Sequence, residues 1–589
     1  MCSIIGYLGN SSAASVLVNS LKRMEYRGYD SVGMATLDNS KICLRKDIGR
    51  VPEVDASMNL GLMPGKIGVG HTRWATHGQV TKFNAHPHTD CNNEIVVVHN
   101  GIINNYLSLK KKLSKEGHIF KSQTDSEVIA HVVESNLKKY QDIKKVIQET
   151  CNLLEGTYAF VVIFKSGIVA GARFDEPLIL GLDKTGTFIS SDVLGFIEYT
   201  DKSIFLDNGD IVILDGHNIS IFDYYGNKVN RSIDQVAWEF SDIDKGKYAH
   251  YTIKEIHDQN STISRSIIQK TDILDKFINI IRNSKHVYIT GSGSSYHSAL
   301  LAKYLFYKFP RIRTEIIMSS EFEHIKDFLD GESVIIAISQ SGETADVLDC
   351  AKIAREKGSK ILSIVNISTS SLSRLSDYSL TINCGPEIGV AATKSFTSQI
   401  SIIYSIIGKL IDQKFEFLGY PNKFEDCVNE LLNMGNDIEK IADIIKSTQD
   451  IYILGKGIHY PIALEGSLKI KELAYIHAEG IAAGEIKHGP LALVENNTIV
   501  IIINPSDETY KDTLNIAHEM KSRGAKLIGI SDRNNVLYDY YISIPKFMNM
   551  NINPILEIIP LQLLSYYLAI KKNINPDYPR NLAKSVTVK

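Results

Sequence analysis

A cysteine near the amino terminus is the first residue with the means to do covalent chemistry. Cys2 carries a thiol and, once Met1 is removed, a free α-amine. An α-amine has a pKa of about 8, so it can take the thiol proton itself or through a water molecule. Most free cysteines are instead buried and inert. The motifs in the same half of the chain decide between these two interpretations.

Several of these motifs contain groups that a cysteine nucleophile needs. Arg73 offers a planar guanidinium for a carboxylate. Asn100 and Gly101 end an apolar run, where the side-chain amide and a backbone N–H can form an oxyanion hole. Asp125 is either a helix-start charge or a partner for a ligand ammonium. Together these groups suit an α-amino acid with a side-chain acyl group, and glutamine fits that description.

Two hydroxyl-rich loops occur in the second half of the chain. Gly291–Ser295 lies between a predicted strand and a predicted helix, a turn that presents N–H groups to phosphate. Its glycines lack the third member of a dinucleotide motif. A single loop of this kind is explained by the preference of Ser and Gly for turns and helix caps. Two such loops at strand ends favour a neutral phosphate-binding site lined by hydroxyls. The candidate phosphate ligands are Ser294, Ser295, Ser339, Gln340, Ser341 and Thr344.

A predicted helix from Pro461 to Ile476 carries three charged residues on one face. Glu465, Lys469 and Glu472 are spaced by four and three positions. In a helix of unknown function such a stripe is usually a solvated set of salt bridges. The alternative is an acid–base group that moves a proton between adjacent sugar carbons. The residues alone leave both interpretations open.

Composition limits the classes of protein to which the chain can belong. Its 589 residues are 44% hydrophobic and 22% charged with a net charge of −3, which excludes dominant disorder and argues against a nucleic-acid binder. The seven cysteines form no CxxC pair, so we expect a reduced cytoplasmic chain without a metal site. The start of the chain does not read as a signal peptide. The apolar stretch 555–570 is too short and too polar to span a membrane.

The elements that must position these residues fall into two kinds. Residues 2–225 predict an α+β domain with strands such as Glu94–His99 and Ile204–Leu214 and two helices, Asn104–Gly117 and Thr124–Tyr140. Residues 226–255 are polar and predict a linker. From there on, strand-like runs alternate with helices, which indicates βαβ units around parallel sheets.

The second half also repeats itself at offsets of 164 to 166 residues. Three pairs of segments match: Val287–Tyr296 with Ile451–Tyr460, Ser339–Thr344 with Asn504–Thr509, and Gly358–Ile364 with Gly524–Ile530. This period is far too long for a solenoid. We therefore predict two copies of one α/β domain, at 280–430 and 445–580, followed by a tail at 581–589.

Long motifs along essentially the whole chain resemble the glutamine–fructose-6-phosphate aminotransferase family. They are Cys2–Gly6, Glu25–Ser31, His71–Gly78, Asn84–His88, Val98–Gly101, Ser339–Thr344, Glu465–Glu472, Gly484–Pro490 and Pro579–Thr587. They occur in order, so the resemblance is specific. It implies an N-terminal-nucleophile hydrolase domain with αββα layers, followed by two α/β sugar-isomerase domains with parallel sheets.

The resemblance assigns roles in a glutaminase site. It implies that Cys2 is the nucleophile, that Arg73 and Asp125 bind the α-carboxylate and α-amine of glutamine, and that Asn100 and Gly101 hold the oxyanion. Thr76 and His77 join the glutamine-binding set. Trp74 resembles a residue that gates an ammonia tunnel, although a lone Trp is ordinarily core packing.

The resemblance also assigns roles in a sugar-phosphate site. Glu472 is the base for the C1–C2 proton transfer, and Lys469 assists it. His488 handles ring opening from a second subunit, which implies a homodimer. Lys584 is the Schiff-base lysine, beside Ala583 in the sugar-binding set. The chain departs from the usual family pattern at two places: Ser292 and Ser294 stand in place of a cysteine and a threonine, and Ala392 stands where relatives can have a serine.

The implied reaction converts glutamine and fructose 6-phosphate to glutamate and glucosamine 6-phosphate, the first step of hexosamine synthesis. It passes ammonia internally and requires no metal, nicotinamide or pyridoxal cofactor. Three alternatives stay open: an isomerase or deaminase with a vestigial glutaminase, a non-catalytic sugar-phosphate sensor, and a Cys-first amidotransferase that makes a phosphoribosylamine. Intact catalytic residues argue against the sensor, and the duplicated serine-rich units argue against the last.

Overall fold

The computed structural model describes residues 2–236, 238, 240–412, 421–547 and 550–586. The chain forms two compact units. The amino-terminal unit runs up to Asp244 and includes the segment that starts at Ala583, and the carboxyl-terminal unit is Lys245–Leu582.

Within the described residues, the amino-terminal unit contains two antiparallel sheets of eight and seven strands. The first has the order β15-β11-β9-β10-β1-β4-β2-β3 and the second β14-β13-β12-β8-β7-β6-β5. The strands are β1 (Ser3–Gly9), β2 (Ser31–Asp38), β3 (Lys41–Ile48), β4 (Ile67–Arg73), β5 (His88–Thr89), β6 (Ile95–Ile103), β7 (Gly156–Phe164), β8 (Val169–Phe174), β9 (Ile179–Asp183), β10 (Gly186–Ser190), β11 (Lys202–Phe205), β12 (Ile211–Asp215), β13 (Asn218–Phe222), β14 (Lys228–Val229) and β15 (Asp234–Gln235). The helices are α1 (Ala13–Met24), α2 (Val51–Met58), α3 (Tyr106–Lys115), α4 (Glu127–Leu137) and α5 (Ile143–Leu153).

Strand β6 shows how the layers of this unit form. Its side chains alternate between the two faces of the sheet, as the period of a strand requires. Val96 and Val98 lie in a core with residues of the other sheet, such as Ile4. Ile95 and Val97 lie in a second core with residues of α4 and α5. Helix α1 packs on β1 and β4 of the first sheet, so the predicted αββα layering is confirmed.

The structure corrects some sequence expectations in this unit. The predicted strand Ile204–Leu214 is two strands, β11 and β12, separated by a turn in which Gly209 has φ +85°. The predicted linker 226–255 contains the edge strands β14 and β15 and the start of a helix at Tyr251. Two-residue edge strands are defined by their pairing partners, so polar composition does not separate them from a loop. Helices α1, α2 and α5 were also not predicted.

The carboxyl-terminal unit contains two five-stranded parallel sheets within its described residues. Their orders are β17-β16-β18-β19-β20 and β22-β21-β23-β24-β25, the same arrangement twice. The strands are β16 (His286–Gly291), β17 (Thr314–Met318), β18 (Ser333–Ser339), β19 (Lys360–Val365), β20 (Tyr378–Thr381), β21 (Asp450–Gly455), β22 (His477–Ala482), β23 (Ile499–Ile503), β24 (Lys526–Ser531) and β25 (Tyr540–Ser543). The helices are α6 (Tyr251–Ile267), α7 (Thr271–Asn283), α8 (Ser294–Lys308), α9 (Ala345–Glu356), α10 (Ser371–Leu375), α11 (Lys394–Leu410), α12 (Pro421–Asn433), α13 (Gly435–Ile445), α14 (Tyr460–Ala474), α15 (Tyr510–Ser522) and α16 (Asn553–Lys571). The predicted duplication is confirmed.

One hydrophobic core joins the two copies. It includes strand residues of both sheets, such as Ile289 and Ile453, together with Phe396 of α11 and Leu561 of α16. Helix α16 is long and apolar enough to cross a membrane by length and composition, but 89% of it is buried inside the protein. It is therefore packed as a core helix of this unit.

The two copies differ at the carboxyl ends of their strands. By the repeat alignment, His459 and Asp507 of the second copy occupy the positions of Ser295 and Gly342. His459 is fully buried, with Nε2 2.7 Å from Asp507 and Nδ1 2.9 Å from Glu557. The second copy thus holds an ionic cluster where the first has a serine and a glycine, and its carboxylates disfavour a phosphate there.

The charge on this histidine is set by its two partners. Burial by itself lowers the pKa of His459, but Glu557 and Asp507 more than offset that effect and raise the pKa to about 10. Burial also raises the pKa of Glu557, while His459 lowers it by a smaller amount. The ion pair with Asp507 is therefore intact at neutral pH.

We predict that His459→Gln destabilises the carboxyl-terminal unit by about 3–5 kcal/mol at neutral pH, because it leaves buried carboxylates without a cation. An unfolded histidine has a pKa of about 6.5, so the stabilising effect is complete below that pH and is lost as pH rises through about 10. Thermal unfolding of the wild type and the variant between about pH 6 and pH 10 measures this pH dependence of stability. Roughly in this range the folded and unfolded states differ in the protonation of His459. The exposed His324 provides the control variant His324→Gln. Equal pH dependence in the wild type and His459→Gln would contradict the assignment.

Candidate functional site

Cys2 lies beside the end of strand β4. It precedes β1, and β1 pairs with β4 so that Ser3 is opposite Thr72. This register places the Cys2 thiol against Trp74: Sγ accepts a hydrogen bond from the Trp74 N–H at 3.2 Å and lies 3.4 Å from the Trp74 carbonyl oxygen. Burial raises the pKa of the Cys2 thiol. The thiol therefore stays protonated until a base removes its proton.

Asn100 comes to the same place from the other sheet. Its Nδ2 donates a hydrogen bond to the carbonyl oxygen of Cys2 at 3.1 Å. Strand β6 carries Asn100 and strand β1 follows Cys2, so the packing of the two sheets brings these residues together. The side-chain amide that was predicted as an oxyanion donor is thus next to the predicted nucleophile.

His71 fixes the orientation of the Asn100 amide. Its Nε2 lies 3.2 Å from Asn100 Oδ1 and 3.0 Å from the His99 carbonyl oxygen. Both atoms are acceptors, so Nε2 carries the proton. Burial lowers the pKa of His71 to about 3, so the ring is neutral. No role was predicted for His71 from the sequence. Its position in the motif His71–Gly78 was the only feature that could have indicated one.

Gly101 and Asp125 lie at the end of strand β6. Gly101 has φ +116°, and a Cβ there would be 2.1 Å from the Thr157 carbonyl oxygen, so only glycine fits. Asp125 is buried just before α4, and its Oδ2 accepts a hydrogen bond from the Ile103 N–H at 2.8 Å. Gly101, the candidate oxyanion donor, and Asp125, the candidate ligand of the substrate amine, are therefore both positioned by the end of β6.

Arg73 is the last residue of β4, and its guanidinium is held by a loop. It donates to the carbonyl oxygens of Gly78 at 3.1 Å and Gln79 at 3.2 Å, and also to that of His77. Burial lowers the pKa of Arg73, although an arginine stays charged in a protein. Thr76 is exposed in the same loop and His77 is partly buried.

Trp74, the predicted ammonia gate, is partly buried. Its indole packs edge-on against the ring of Tyr29, with the centroids 5.5 Å apart. This contact holds the ring beside Cys2 without assigning it a gating role.

In the carboxyl-terminal unit, the two predicted phosphate loops meet at one sheet edge. The first follows β16 and the second follows β18, which are neighbouring parallel strands. The strand order reverses between them, which is where α/β sheets bind ligands. This placement confirms the predicted strand-end positions.

The hydroxyls in these loops are ordered by local hydrogen bonds. Ser339 Oγ lies 3.2 Å from Thr344 Oγ1 and accepts the Gly342 N–H at 3.0 Å. Ser295 Oγ accepts Gln399 Nε2 at 3.0 Å. Ser341 Oγ accepts the Glu343 N–H at 3.1 Å, and the Gln340 carbonyl oxygen accepts the Asn366 N–H at 3.1 Å.

The charged stripe of α14 is buried. Glu465 and Lys469 are fully buried, with Lys469 Nζ 3.4 Å from Glu465 and 2.6 Å from Glu472. Ser294 joins them: its Oγ donates to Glu465 at 2.8 Å and accepts from Lys469 at 3.2 Å. The solvated-stripe interpretation is therefore wrong for this helix. Ser294 connects the cluster to the first phosphate loop.

The three charged residues differ in exposure and therefore in what they can do. Burial by itself raises the pKa of Glu465, but Lys469 and His297 lower it below its usual value. Burial opposes the charge on Lys469, yet Glu465 and Glu472 raise its pKa. The Glu472 side chain is 21% exposed whereas the other two are inaccessible. Of the three, Glu472 is therefore the one that can reach a ligand.

Two further residues take part that sequence reasoning missed. His297 Nδ1 lies 2.7 Å from Glu465, and Gln399 binds both Ser295 and Ser298. His297 lies one helical turn after Ser294, and this spacing in the sequence could have indicated it. Gln399 is on α11, distant in sequence from both loops, and no pattern indicated it.

The remaining predicted sugar-site residues are His488, Ala583 and Lys584. His488 ends a short 3-10 turn, Ala483–His488, and is exposed. Ala583 and Lys584 group with the amino-terminal unit, where both are partly buried. Their roles stay predictions.

Comparison with known proteins gives these clusters a context. Family profiles match the SIS domain at residues 280–408 and 444–572 and the glutamine amidotransferase domain at 71–194. A glutamine–fructose-6-phosphate aminotransferase (isomerizing) of Pyrococcus horikoshii is 42% identical over 598 residues, covering 100% of both chains. The chain belongs to the isomerizing glutamine–fructose-6-phosphate aminotransferase family.

Another family member, from Thermococcus kodakarensis, is 40% identical over 605 residues, again covering 100% of both chains. A solved structure titled as the C-terminal domain of glucosamine-fructose-6-phosphate aminotransferase from Francisella tularensis is 32% identical, with a TM-score of 0.51. It covers 57% of this chain and 99% of its own. The fold expected for the family, an amidotransferase domain and two SIS domains, is confirmed, whereas the exact domain boundaries stay predictions.

We predict that Lys469→Met destabilises the carboxyl-terminal unit by about 3–5 kcal/mol, since it leaves Glu465 and Glu472 together without their cation. Lys471, exposed on the same helix, provides the control Lys471→Met, which should change stability by less than about 0.5 kcal/mol. Thermal and denaturant unfolding measure both. Similar stability of the two variants would contradict the buried-cluster assignment.

Proposed function

We propose that this chain transfers the amide nitrogen of glutamine to fructose 6-phosphate and isomerises the product to glucosamine 6-phosphate. The observation that carries the proposal is the hydrogen bond from Asn100 Nδ2 to the backbone carbonyl oxygen of Cys2 at 3.1 Å, which puts a candidate oxyanion donor beside the residue with the candidate nucleophile. The Glu465–Lys469–Glu472 cluster, which Ser294 connects to the first hydroxyl loop, supports the sugar half.

The glutaminase half starts from a protonated thiol. The α-amine of Cys2 takes the thiol proton, and Sγ attacks the side-chain carbonyl of glutamine. The Trp74 N–H stabilises the thiolate, and Asn100 Nδ2 with the Gly101 N–H stabilises the oxyanion. The amine proton then goes to the leaving ammonia, and water hydrolyses the thioester to release glutamate. Arg73 and Asp125 hold the α-carboxylate and α-amine.

The sugar half needs a carbonyl electrophile and a base. The hydroxyls of Ser339, Ser341 and Thr344, with Ser295, hold the phosphate. Lys584 forms an imine with the ketose carbonyl and water leaves; ammonia then adds to the imine and displaces the lysine amine. Glu472 then moves a proton between C1 and C2, and Lys469 orients its carboxylate at 2.6 Å.

Further features of the proposal come from the family resemblance. Ammonia passes internally from one site to the other, with Trp74 as its gate, because free ammonia would be protonated and diffuse away. The enzyme is a cytoplasmic homodimer in which His488 of each subunit opens the sugar ring in the other. Its product enters hexosamine synthesis.

We predict that Cys2→Ala abolishes glucosamine 6-phosphate formation from glutamine but leaves formation from added ammonium salts, because only the first half uses the thiol. Cys43→Ala, in strand β3, is the matched control and should retain both activities. A coupled assay of glutamate and glucosamine 6-phosphate measures the two reactions. Equal loss of both activities in Cys2→Ala would exclude two separable sites.

We also predict that borohydride traps fructose 6-phosphate on Lys584, since reduction of an imine leaves a stable amine bond to the sugar. Peptide mass spectrometry locates the adduct. Lys584→Arg should give no adduct, and Lys572→Arg, just beyond α16, should give as much as the wild type. An adduct at another lysine in the wild type would refute the role of Lys584.

A further inference from the structure

A cluster of four side chains in the amino-terminal unit lies outside the glutaminase site. It contains Cys91, His118, His131 and Glu134, whose potential ligand atoms all lie within 4.8 Å of one another. Cys91 is in the loop after β5, His118 follows α3, and the other two residues are one turn apart on α4. We propose that these four residues bind a structural Zn²⁺ ion.

The distances between the ligand atoms fit a tetrahedral zinc site. The two Nδ1 atoms are 3.3 Å apart, and Cys91 Sγ is 3.6 Å from that of His131 and 3.8 Å from that of His118. Glu134 Oε2 is 2.9 Å from His118 Nδ1 and 3.5 Å from His131 Nδ1. Zinc bonds of about 2.3 Å to sulfur and about 2.0–2.1 Å to nitrogen give tetrahedral edges of about 3.6 Å and 3.3 Å.

The chemistry of the donors selects the same ion. One thiolate, two imidazoles and one carboxylate are the ligand types of Zn²⁺, while Mg²⁺ and Ca²⁺ prefer oxygen alone. Two negative ligands also balance the charge of a divalent cation in a buried place. His118, His131 and Glu134 are each at most 6% exposed, and Cys91 is partly buried. Four protein ligands leave no open position, so the site is structural rather than catalytic.

The surroundings orient the ligands as the outer contacts of a metal site do. Cys91 Sγ accepts the Ile119 N–H at 3.4 Å, which favours a thiolate. His131 Nε2, buried with no hydrogen-bond partner within the described part of the chain, faces Glu127 Oε1 at 3.8 Å. Lys138 Nζ lies 3.4 Å from the second oxygen of Glu134.

Bound zinc would fasten three separate segments to one another. One of them is α4, which begins two residues after Asp125. The ion would therefore attach α4, the helix that follows Asp125, to the segments that carry Cys91 and His118. Sequence inspection did not reveal it because the ligands are 27, 13 and 3 positions apart, outside the usual zinc spacings.

The test is metal content and spectroscopy on the full chain. Protein made in zinc-supplemented medium and purified without chelators should contain about one zinc per chain by mass spectrometry of the element. After removal of zinc, added Co²⁺ should give the intense visible bands of tetrahedral cobalt and a thiolate-to-cobalt charge-transfer band. Absence of both zinc and these bands in the wild type would overturn the proposal.

Variants test the ligand set. Cys91→Ser should lose the charge-transfer band, and Glu134→Gln should weaken zinc binding by at least about tenfold. Cys43→Ser and the exposed Glu116→Gln are matched controls and should bind like the wild type. Circular dichroism verifies folding, and either ligand variant alone suffices if the other does not fold. Unchanged cobalt spectra and zinc affinity in a folded ligand variant would refute the site.

Discussion

Burying a charge is unfavourable unless an opposite charge or a metal ion accompanies it, and this constraint organises the interior of the protein. Lys469 is inaccessible to solvent and is held between Glu465 and Glu472. His459 is held in the same way between Asp507 and Glu557. The Lys469 ion pairs lie within one helix and reach the first phosphate loop through Ser294, whereas the His459 pairs join segments that are far apart in sequence.

The duplicated isomerase domain shows how one scaffold supports different interiors. Both copies have the same strand order, so both have a crevice at the point where that order reverses. In the first copy hydroxyl-rich loops lie at this crevice, and in the second His459 and Asp507 replace Ser295 and Gly342. Duplication of the fold therefore does not duplicate the site. The second copy contributes α14 to the cluster next to the first copy's loop.

The buried histidine that orients Asn100 in the glutaminase site is not charged. His71 is neutral because burial lowers its pKa to about 3, and it orients Asn100 as a hydrogen-bond donor. The ring of His86 stacks on His71 with the centroids 4.0 Å apart, and burial lowers the pKa of His86 as well. Burial thus disfavours the charged form of these groups in both halves, and only His459 and Lys469 have carboxylates close enough to offset it.

The fold class, the duplication and most candidate residues could be predicted from the sequence, because strand periodicity, strand-end loops and motifs are local patterns. Residue spacing put Glu465, Lys469 and Glu472 on one helix face, and it put Ser294 and Ser339 at strand ends. Only the tertiary structure decided that this face is buried, that Asn100 meets Cys2, that Gln399 supports Ser295, and that Cys91 approaches His118 and His131. Burial and contacts between distant segments depend on how the sheets and helices pack, and a local pattern carries no information about its packing partner.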